Sequence, residues 1–358
     1  MIICLNQLHN RVCKAVNRDN TRYCGKCGHS LQHALHLLNP GEQIGQYRIR
    51  QIVGHGGFGA VYEAESLTNR RSVALKETFD PASIQSFRKE FTILRKIRHP
   101  NLPFYQDLFE IDGNGYLVME YVPGQSLEEV LLRRQGPLLE KQVLGYAIQL
   151  CDVLSFLHGQ TPWILHRDIK PANIRIMPDG VIKLVDFGLI KQGNSTLSSQ
   201  IRLTPAYAPI EQYALASTDP RTDIYSLGAT LYHLLTGKEP LPATQRVTVT
   251  DDPLEPPYVL NSQLSRTTSD AIVKAMARFQ DERYASAAEF NQALIHGPFI
   301  PSSSVTPTLR ICAKCGFSQD PDEIYCQHCR ALLSAEIPCH ACRKPRPSNA
   351  KFCPHCGK

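Results

Sequence analysis

The sequence contains no run approaching the roughly 18 uncharged apolar residues that a membrane-spanning helix needs. Its start, MIICLNQLHNR, lacks a basic segment leading into a long apolar stretch. Neither a membrane anchor nor a secretory leader is expected, and the cytoplasm is the expected compartment. Cysteine is nearly missing from the middle of the chain: of 13 cysteines, only Cys151 lies between Cys27 and Cys312. The other twelve gather at the two ends, mostly as C-x-x-C pairs, a spacing of metal ligands rather than of a secreted disulfide framework. Cys151 has no His or metal partner nearby in sequence and is expected to be an ordinary buried helix residue. A dominant charge is lacking too. The formal charge of +6 counts every thiol as neutral, whereas three four-thiolate sites around divalent cations would together carry about −6. Near-neutrality of the loaded chain, with few aromatic residues placed for base stacking, argues against nucleic acid as a partner.

With 42% hydrophobic and 20% charged residues the composition is that of an ordinary globular protein. At 358 residues the chain is too long for one typical core, so several folding units are expected. The first 30 residues are polar and cysteine-bearing, and Leu31, Ala34, Leu35 and Leu38 follow at helical spacing, a segment expected to pack onto what comes next. Tyr47 to Tyr62 reads as strand, glycine-rich turn and strand; Ser72 to Thr78 and Tyr116 to Tyr121 read as further strands. A helix is predicted over 84–97, with Phe87, Phe91 and Leu94 on one face. After Gly124 long helical patterns dominate, notably Glu140 to His158, Asp223 to Leu235 and Ser269 to Ala277. The stretch PFIPSSSVTPTL has no repeating apolar face and marks a linker.

GHGGFGAV at 54–61 fits G-x-G-x-x-G-x-V, in which Gly54, Gly56 and Gly59 let backbone N–H groups approach phosphate oxygens. VALK at 73–76 puts Lys76 on the next strand, and Glu90 lies on the following helix, where the two can pair and leave the ammonium aimed at phosphate. HRDIKPAN at 166–173 and DFG at 186–188 then follow in order. Together these elements form a kinase signature set, and a chance match of all of them is negligible.

On these motifs the chain resembles the bacterial eukaryotic-type (Hanks-type) serine/threonine protein kinases, over about Tyr47 to His296. The resemblance implies ATP and magnesium as cofactors and protein Ser/Thr hydroxyls as substrates. It implies that Asp168 orients the substrate hydroxyl and accepts its proton, that Lys170 steadies the transferring phosphoryl group, and that Asn173 and Asp186 hold magnesium. Val61, Ala74 and the hinge from Glu120 to Val122 would contact adenine, with Met119 at the back of the pocket. Arg175 stands where the family commonly has an aliphatic floor beneath the base; its methylene stem or its planar guanidinium would serve instead. Lys170 matches the Ser/Thr class. Ser195, Thr196, Ser198, Ser199 and Thr204 lie in the activation segment as candidate autophosphorylation sites, with Arg167 as a phosphate partner. Asp223 and an Arg283–Glu211 pair take structural roles by the same resemblance. The chain departs from the family pattern at Leu203, where glycine is common, and at Ile210, where proline is usual.

Three cysteine segments share one spacing, with ten residues between Cys13 and Cys24, between Cys315 and Cys326, and between Cys342 and Cys353. Tyr23, Tyr325 or Phe352 precedes each incoming pair. Cys312, Cys315, Cys326 and Cys329 make one complete C-x2-C-x10-C-x2-C unit, and Cys339, Cys342, Cys353 and Cys356 make a second. They read as tandem zinc ribbons with structural Zn2+. The N-terminal copy has Asn10 at the first paired position, so Cys4 joins Cys13, Cys24 and Cys27, with His9 as the alternative ligand. Recognition of protein partners is the preferred role for the ribbons.

The expected architecture is α+β: a two-lobed protein kinase fold, with a small β-rich N-lobe and a large helical C-lobe, flanked by small zinc-ribbon modules. The expected divisions are a zinc-ribbon-like module (1–30), a connecting segment (31–46), a kinase domain (47–297), a linker (298–310) and two ribbons (311–334 and 335–358). Readings as a catalytically silent scaffold, a nucleic-acid-binding protein or a redox-controlled kinase compete with this one. The complete set of Lys76, Glu90, Asp168, Asn173 and Asp186 argues against the first.

Overall fold

A computed structural model describes residues 1–4, 7–8, 11–13, 15–18, 21–31, 35–56, 59–78, 81–187, 191–192, 203–213, 217–296, 310–311, 318–319, 336–338 and 345–347. The chain divides into two compact units, Met1–Pro298 and Phe299–Lys358.

The first unit opens with the short strands β1 (Ile2–Ile3), β2 (Gln7–Leu8), β3 (Arg11–Val12), β4 (Val16–Asn17) and β5 (Leu35–His36). β1 lies between β4 and β5 in an antiparallel sheet, and β2 pairs with β3. Leu35, placed at helical spacing by the sequence, is therefore in a strand, because pairing with β1 satisfies its backbone groups. Adjacent strand residues face opposite ways. Ile2 accordingly packs with Cys4, Cys13, Cys24 and Leu31, whereas Ile3 enters a different core.

That second core belongs to a six-stranded antiparallel sheet. Its strands are β6 (Gln43–Ile44), β7 (Tyr47–Gly56), β8 (Gly59–Ser66), β9 (Ser72–Thr78), β10 (Tyr105–Ile111) and β11 (Asn114–Glu120), in the order β10-β11-β9-β8-β7-β6. Helix α1 (Pro81–Leu94) joins β9 to β10; it begins three residues before the sequence pattern suggested, and Pro81 is tolerated in its first turn. Alternation gives the sheet two different faces. Ala60, Tyr62, Ala64, Val73, Leu75 and Val118 turn to the side that Ile3 and Leu37 cover. Ala74, Leu117 and Met119, with Val61 against them, belong to the large core shared with the helices.

Beyond the hinge come β12 (Gln125–Ser126), α2 (Leu127–Arg134), α3 (Glu140–His158), β13 (Ile164–Leu165), β14 (Ile174–Ile176), β15 (Ile182–Leu184) and β16 (Lys191–Gln192). The helices α4 (Ile210–Tyr213), α5 (Pro220–Thr236), α6 (Ala243–Arg246), α7 (Pro257–Leu260), α8 (Arg266–Ala275) and α9 (Ala287–His296) complete the lobe. Ser126 and Glu129 form a reciprocal capping box that starts α2 directly after the hinge. In α5, Asp219 caps the N-terminus, Pro220 takes the first turn and Gly237 ends the helix at φ 72°. Nearly every residue of α5 is buried, so this helix is the post around which the lobe packs.

In the second unit β17 (Arg310–Ile311) pairs with β18 (Ser318–Gln319), and β19 (Glu336–Pro338) pairs with β20 (Pro345–Pro347), both antiparallel. The first hairpin brackets Cys312 and Cys315 in sequence and the second brackets Cys339 and Cys342. All eight cysteines of this unit lie outside the described residues.

Candidate active site

The glycine-rich turn joins β7 to β8, and Gly56 pairs with Gly59 across it. Gly59 is fixed by a close approach: a Cβ there would collide with the carbonyl of Glu77 on β9. Gly54 has open space around it. Behind this hairpin Lys76 on β9 reaches both predicted acids, with its Nζ 2.6 Å from Asp186 Oδ1 and 3.9 Å from Glu90 Oε2. Glu90 is 2% exposed, whereas Asp186 is 48% exposed and can meet a ligand. Burial alone would lower the Lys76 pKa, but Asp186 and Glu90 outweigh it and the ammonium is held above its ordinary value. Lys76 in turn holds the Asp186 carboxyl down at about 2. Burial pushes Glu90 upward against the pull of Lys76.

Asp186 and Arg167 both have left-handed backbones, with φ 63° and 66°. Such conformations are uncommon away from glycine and persist only where surroundings impose them. Phe187 anchors one: it is fully buried, its ring centroid 4.4 Å from that of His166 and 6.4 Å from that of Tyr105. Asp223 on α5 anchors the other. Its carboxylate accepts from the backbone N–H of His166 at 2.9 Å, from that of Arg167 at 2.8 Å, and from His158 Nε2 at 2.9 Å. Burial would raise the Asp223 pKa, but these donors overcome it and hold the carboxyl low.

This scaffold presents Asp168. Lys170 Nζ lies 2.8 Å from its Oδ2, Asn173 Nδ2 donates to the same oxygen at 2.9 Å and to the Asp168 carbonyl at 2.8 Å, and Thr204 Oγ1 donates to Oδ1 at 3.1 Å. Lys170 also donates to Thr204 Oγ1 at 2.9 Å. Asn173 spends its amide N–H groups on Asp168, which makes Oδ1 the oxygen it can offer a cation. With the half-exposed Asp186 carboxylate this is an all-oxygen donor set, the type a hard divalent cation prefers.

Met119 and Val122 are buried at the hinge, and Ala74 and Val61 lie on the same face of the sheet. Glu120 turns its carboxylate to Lys183 Nζ at 2.7 Å, a hinge contact the sequence did not announce. Arg175, on β14, donates from Nη2 to the Gly124 carbonyl, and its Nε is buried without a partner. The guanidinium is thereby tied to the hinge exit. Cys151 is buried in α3 with its thiol pushed up to about 12 by burial, as an inert core residue should be.

Thr204 behaves differently from the other activation-segment hydroxyls: it is engaged by Asp168 and Lys170. Ser195, Thr196, Ser198 and Ser199 lie outside the described residues, as do Gly188 and His9. Downstream, Ala206, Tyr207 and Ala208 are buried despite Leu203 and Ile210, and Ile210 packs against the large core. Arg283 grips Glu211 through two hydrogen bonds, at 2.7 and 3.1 Å, with Thr222 Oγ1 donating to the same carboxylate at 3.0 Å. At the N-terminus the sulfurs of Cys4, Cys13, Cys24 and Cys27 converge, all within 4.8 Å of one another.

A strand-rich lobe with a paired Lys and Glu, a helical lobe, and a catalytic loop clamped to a buried helix define the protein kinase fold. The chain belongs to the protein kinase domain family, whose pattern matches residues 47–297; residues 312–357 match the double zinc ribbon family. Among curated proteins it is similar to the serine/threonine-protein kinase PknB of Mycobacterium tuberculosis, 32% identical over 278 residues that make up 72% of this chain and 44% of that protein. A probable serine/threonine-protein kinase of Clostridium perfringens is 32% identical over 256 residues, 68% of this chain and 37% of that protein. The chain thus spans less than half the length of these relatives. Two solved structures share the fold at 25% identity. One is the apo form of PpkA-294, with TM-score 0.61, covering 72% of this chain and 99% of that chain. The other is the Mycobacterium tuberculosis PknI kinase domain, with TM-score 0.58, covering 73% and 100%.

Proposed function

We propose that this protein transfers the γ-phosphoryl group of ATP to serine or threonine hydroxyls of proteins. The observation that carries the reading is the Asp168 carboxylate, held by Lys170, Asn173 and Thr204 at the mouth of the cleft. In that position Asp168 orients the acceptor hydroxyl and takes its proton as the oxygen bonds to phosphorus and ADP departs. Lys170 supplies positive charge beside the transferring group, and Lys76, fixed by Glu90, binds phosphate oxygens. Asn173 and Asp186 are the residues that would hold magnesium, which when bound neutralises phosphate charge. Val61, Ala74, Met119 and the hinge from Glu120 to Val122 form the adenine slot. With its head fixed on Gly124, Arg175 offers its methylene stem as the floor. The similarity to named serine/threonine kinases supports the hydroxyl class.

The buried, unpartnered Nε of Arg167 supports autophosphorylation in the activation segment, because a phosphate there would answer it. Thr204 is already committed to Asp168 and Lys170, so Ser195, Thr196, Ser198 and Ser199 are the preferred acceptors. The eight C-terminal cysteines would bind two structural zinc ions and present a surface for protein partners. No helix among the described residues is long and apolar enough to cross a membrane, in keeping with work in the cytoplasm on soluble proteins. Incubation with ATP and magnesium followed by phosphopeptide mapping tests the reading. Phosphate on the 195–199 hydroxyls is expected; phosphate confined to Thr204, or none, contradicts the autophosphorylation.

A further inference from the structure

The double zinc ribbon match stops at the C-terminal unit, yet four more cysteines meet in the first unit. Cys4, Cys13 and Cys24 are buried and Cys27 is half-buried. Cys4 Sγ is 3.5 Å from Cys27 Sγ, and Cys13 Sγ is 3.7 Å from Cys24 Sγ. A disulfide would need about 2.05 Å, whereas a tetrahedron of sulfurs about 2.3 Å from a central zinc has edges of about 3.8 Å. The observed separations are those of a thiolate tetrahedron. Its surroundings are arranged as metal sites commonly are: Asn17 donates from Nδ2 to the Cys24 sulfur at 3.7 Å and to the Ala15 carbonyl at 2.9 Å, and its Oδ1 accepts from the Gly25 N–H at 3.0 Å. Gly28, at φ 72°, lets the chain turn immediately after Cys27.

The site touches the catalytic lobe through one strand. Ile2 packs into the cysteine cluster and Ile3, its neighbour in β1, is fully buried against the outer face of the six-stranded sheet with Leu37. The N-terminal amine donates to Asn39 Oδ1 at 2.7 Å, and the Leu38 N–H donates to Tyr62 Oη at 3.3 Å. Tyr62 Oη donates to Glu77 Oε2 at 2.6 Å, and Glu77 directly follows Lys76 on β9. Segments as short as β1 and β5 cannot hold themselves in place; a metal joining Cys4 to the turn at Cys24–Cys27 can.

We propose that Cys4, Cys13, Cys24 and Cys27 bind a thiophilic divalent cation of the zinc class, and that this ion fastens the N-terminal segment as a cover over the outer face of the catalytic lobe's sheet. The metal count of the full chain tests the first half. Wild type should carry one zinc more than Cys24→Ser/Cys27→Ser, whatever the C-terminal cysteines hold; equal counts, or two disulfides in the native mass, overturn the site. Hydrogen exchange tests the second half. Ile3→Ala should keep the wild-type metal count while amides of residues 60–64 and 73–77 exchange about tenfold faster or more. Stepwise chelation of the wild type should remove the same protection in one metal step, a readout that does not depend on any variant folding. Protection unchanged in Ile3→Ala, or after complete metal withdrawal, overturns the cover. None of these readouts involves phosphoryl transfer, so they stand or fall apart from the proposed activity.

Discussion

Among single side chains, Asp186 sits between two opposing influences. Burial raises its pKa, and Lys76, 2.6 Å away, drives it down to about 2. The unfolded chain titrates near 3.9, so the contribution of this pair is complete above about pH 4 and is lost as pH falls towards 2. Replacing Lys76 with Met removes the downward influence. Carboxyl NMR should then show Asp186 titrating well above its wild-type value, and a midpoint still near 2 would contradict the assignment of cause. The roles of Lys76, Glu90, Asp168, Asn173 and Asp186 were legible in the sequence because each stands inside a short motif of fixed spacing. Thr204 and Lys183 were not, since nothing local marks a hydroxyl that will meet Asp168 or an amine that will meet Glu120. Their partners are brought together only by the folded lobes.

Helices were the most legible elements. Glu140 to His158 was read to the residue, and α5 was read three residues short because its N-cap, Asp219, precedes the apolar pattern. Two-residue strands such as β1 and β5 give no period to detect, and Leu35 was accordingly assigned to helical spacing. Between elements, the Arg283–Glu211 pair ties α4 to the segment ahead of α9, with the two side chains 0% and 5% exposed. Removing one partner of such a buried pair leaves the other charge unanswered, a cost of about 3–5 kcal/mol. Arg283→Ala should therefore lower unfolding free energy by about that amount in denaturant titration; a change within about 0.5 kcal/mol, usual for surface sites, would contradict the burial. Gly59→Ala should weaken nucleotide binding, because its Cβ would displace the hairpin from Glu77, whereas Gly54→Ala, in open space, should be milder. Calorimetric titration with ATP and magnesium separates the two, and the reverse order would contradict the close approach.

For the whole molecule, the first unit joins three layers around two sheet faces: the cysteine cluster, the six-stranded sheet and the helical lobe. The division into a module, a connector and a kinase domain was read from composition, but the packing of Ile3 and Leu37 onto the sheet was not, because it links residues that only tertiary structure brings together. Chemistry converges on the opposite face, where Asp168 is held between Lys170, Asn173 and Thr204. The most direct test is phosphoryl transfer from ATP and magnesium to a generic protein substrate by the full chain, compared with Asp168→Asn. The account predicts transfer by wild type and a loss on the order of 10²-fold or more in the variant, with nucleotide binding retained. A folded, nucleotide-binding wild type that transfers nothing, or a variant as active as wild type, would contradict it.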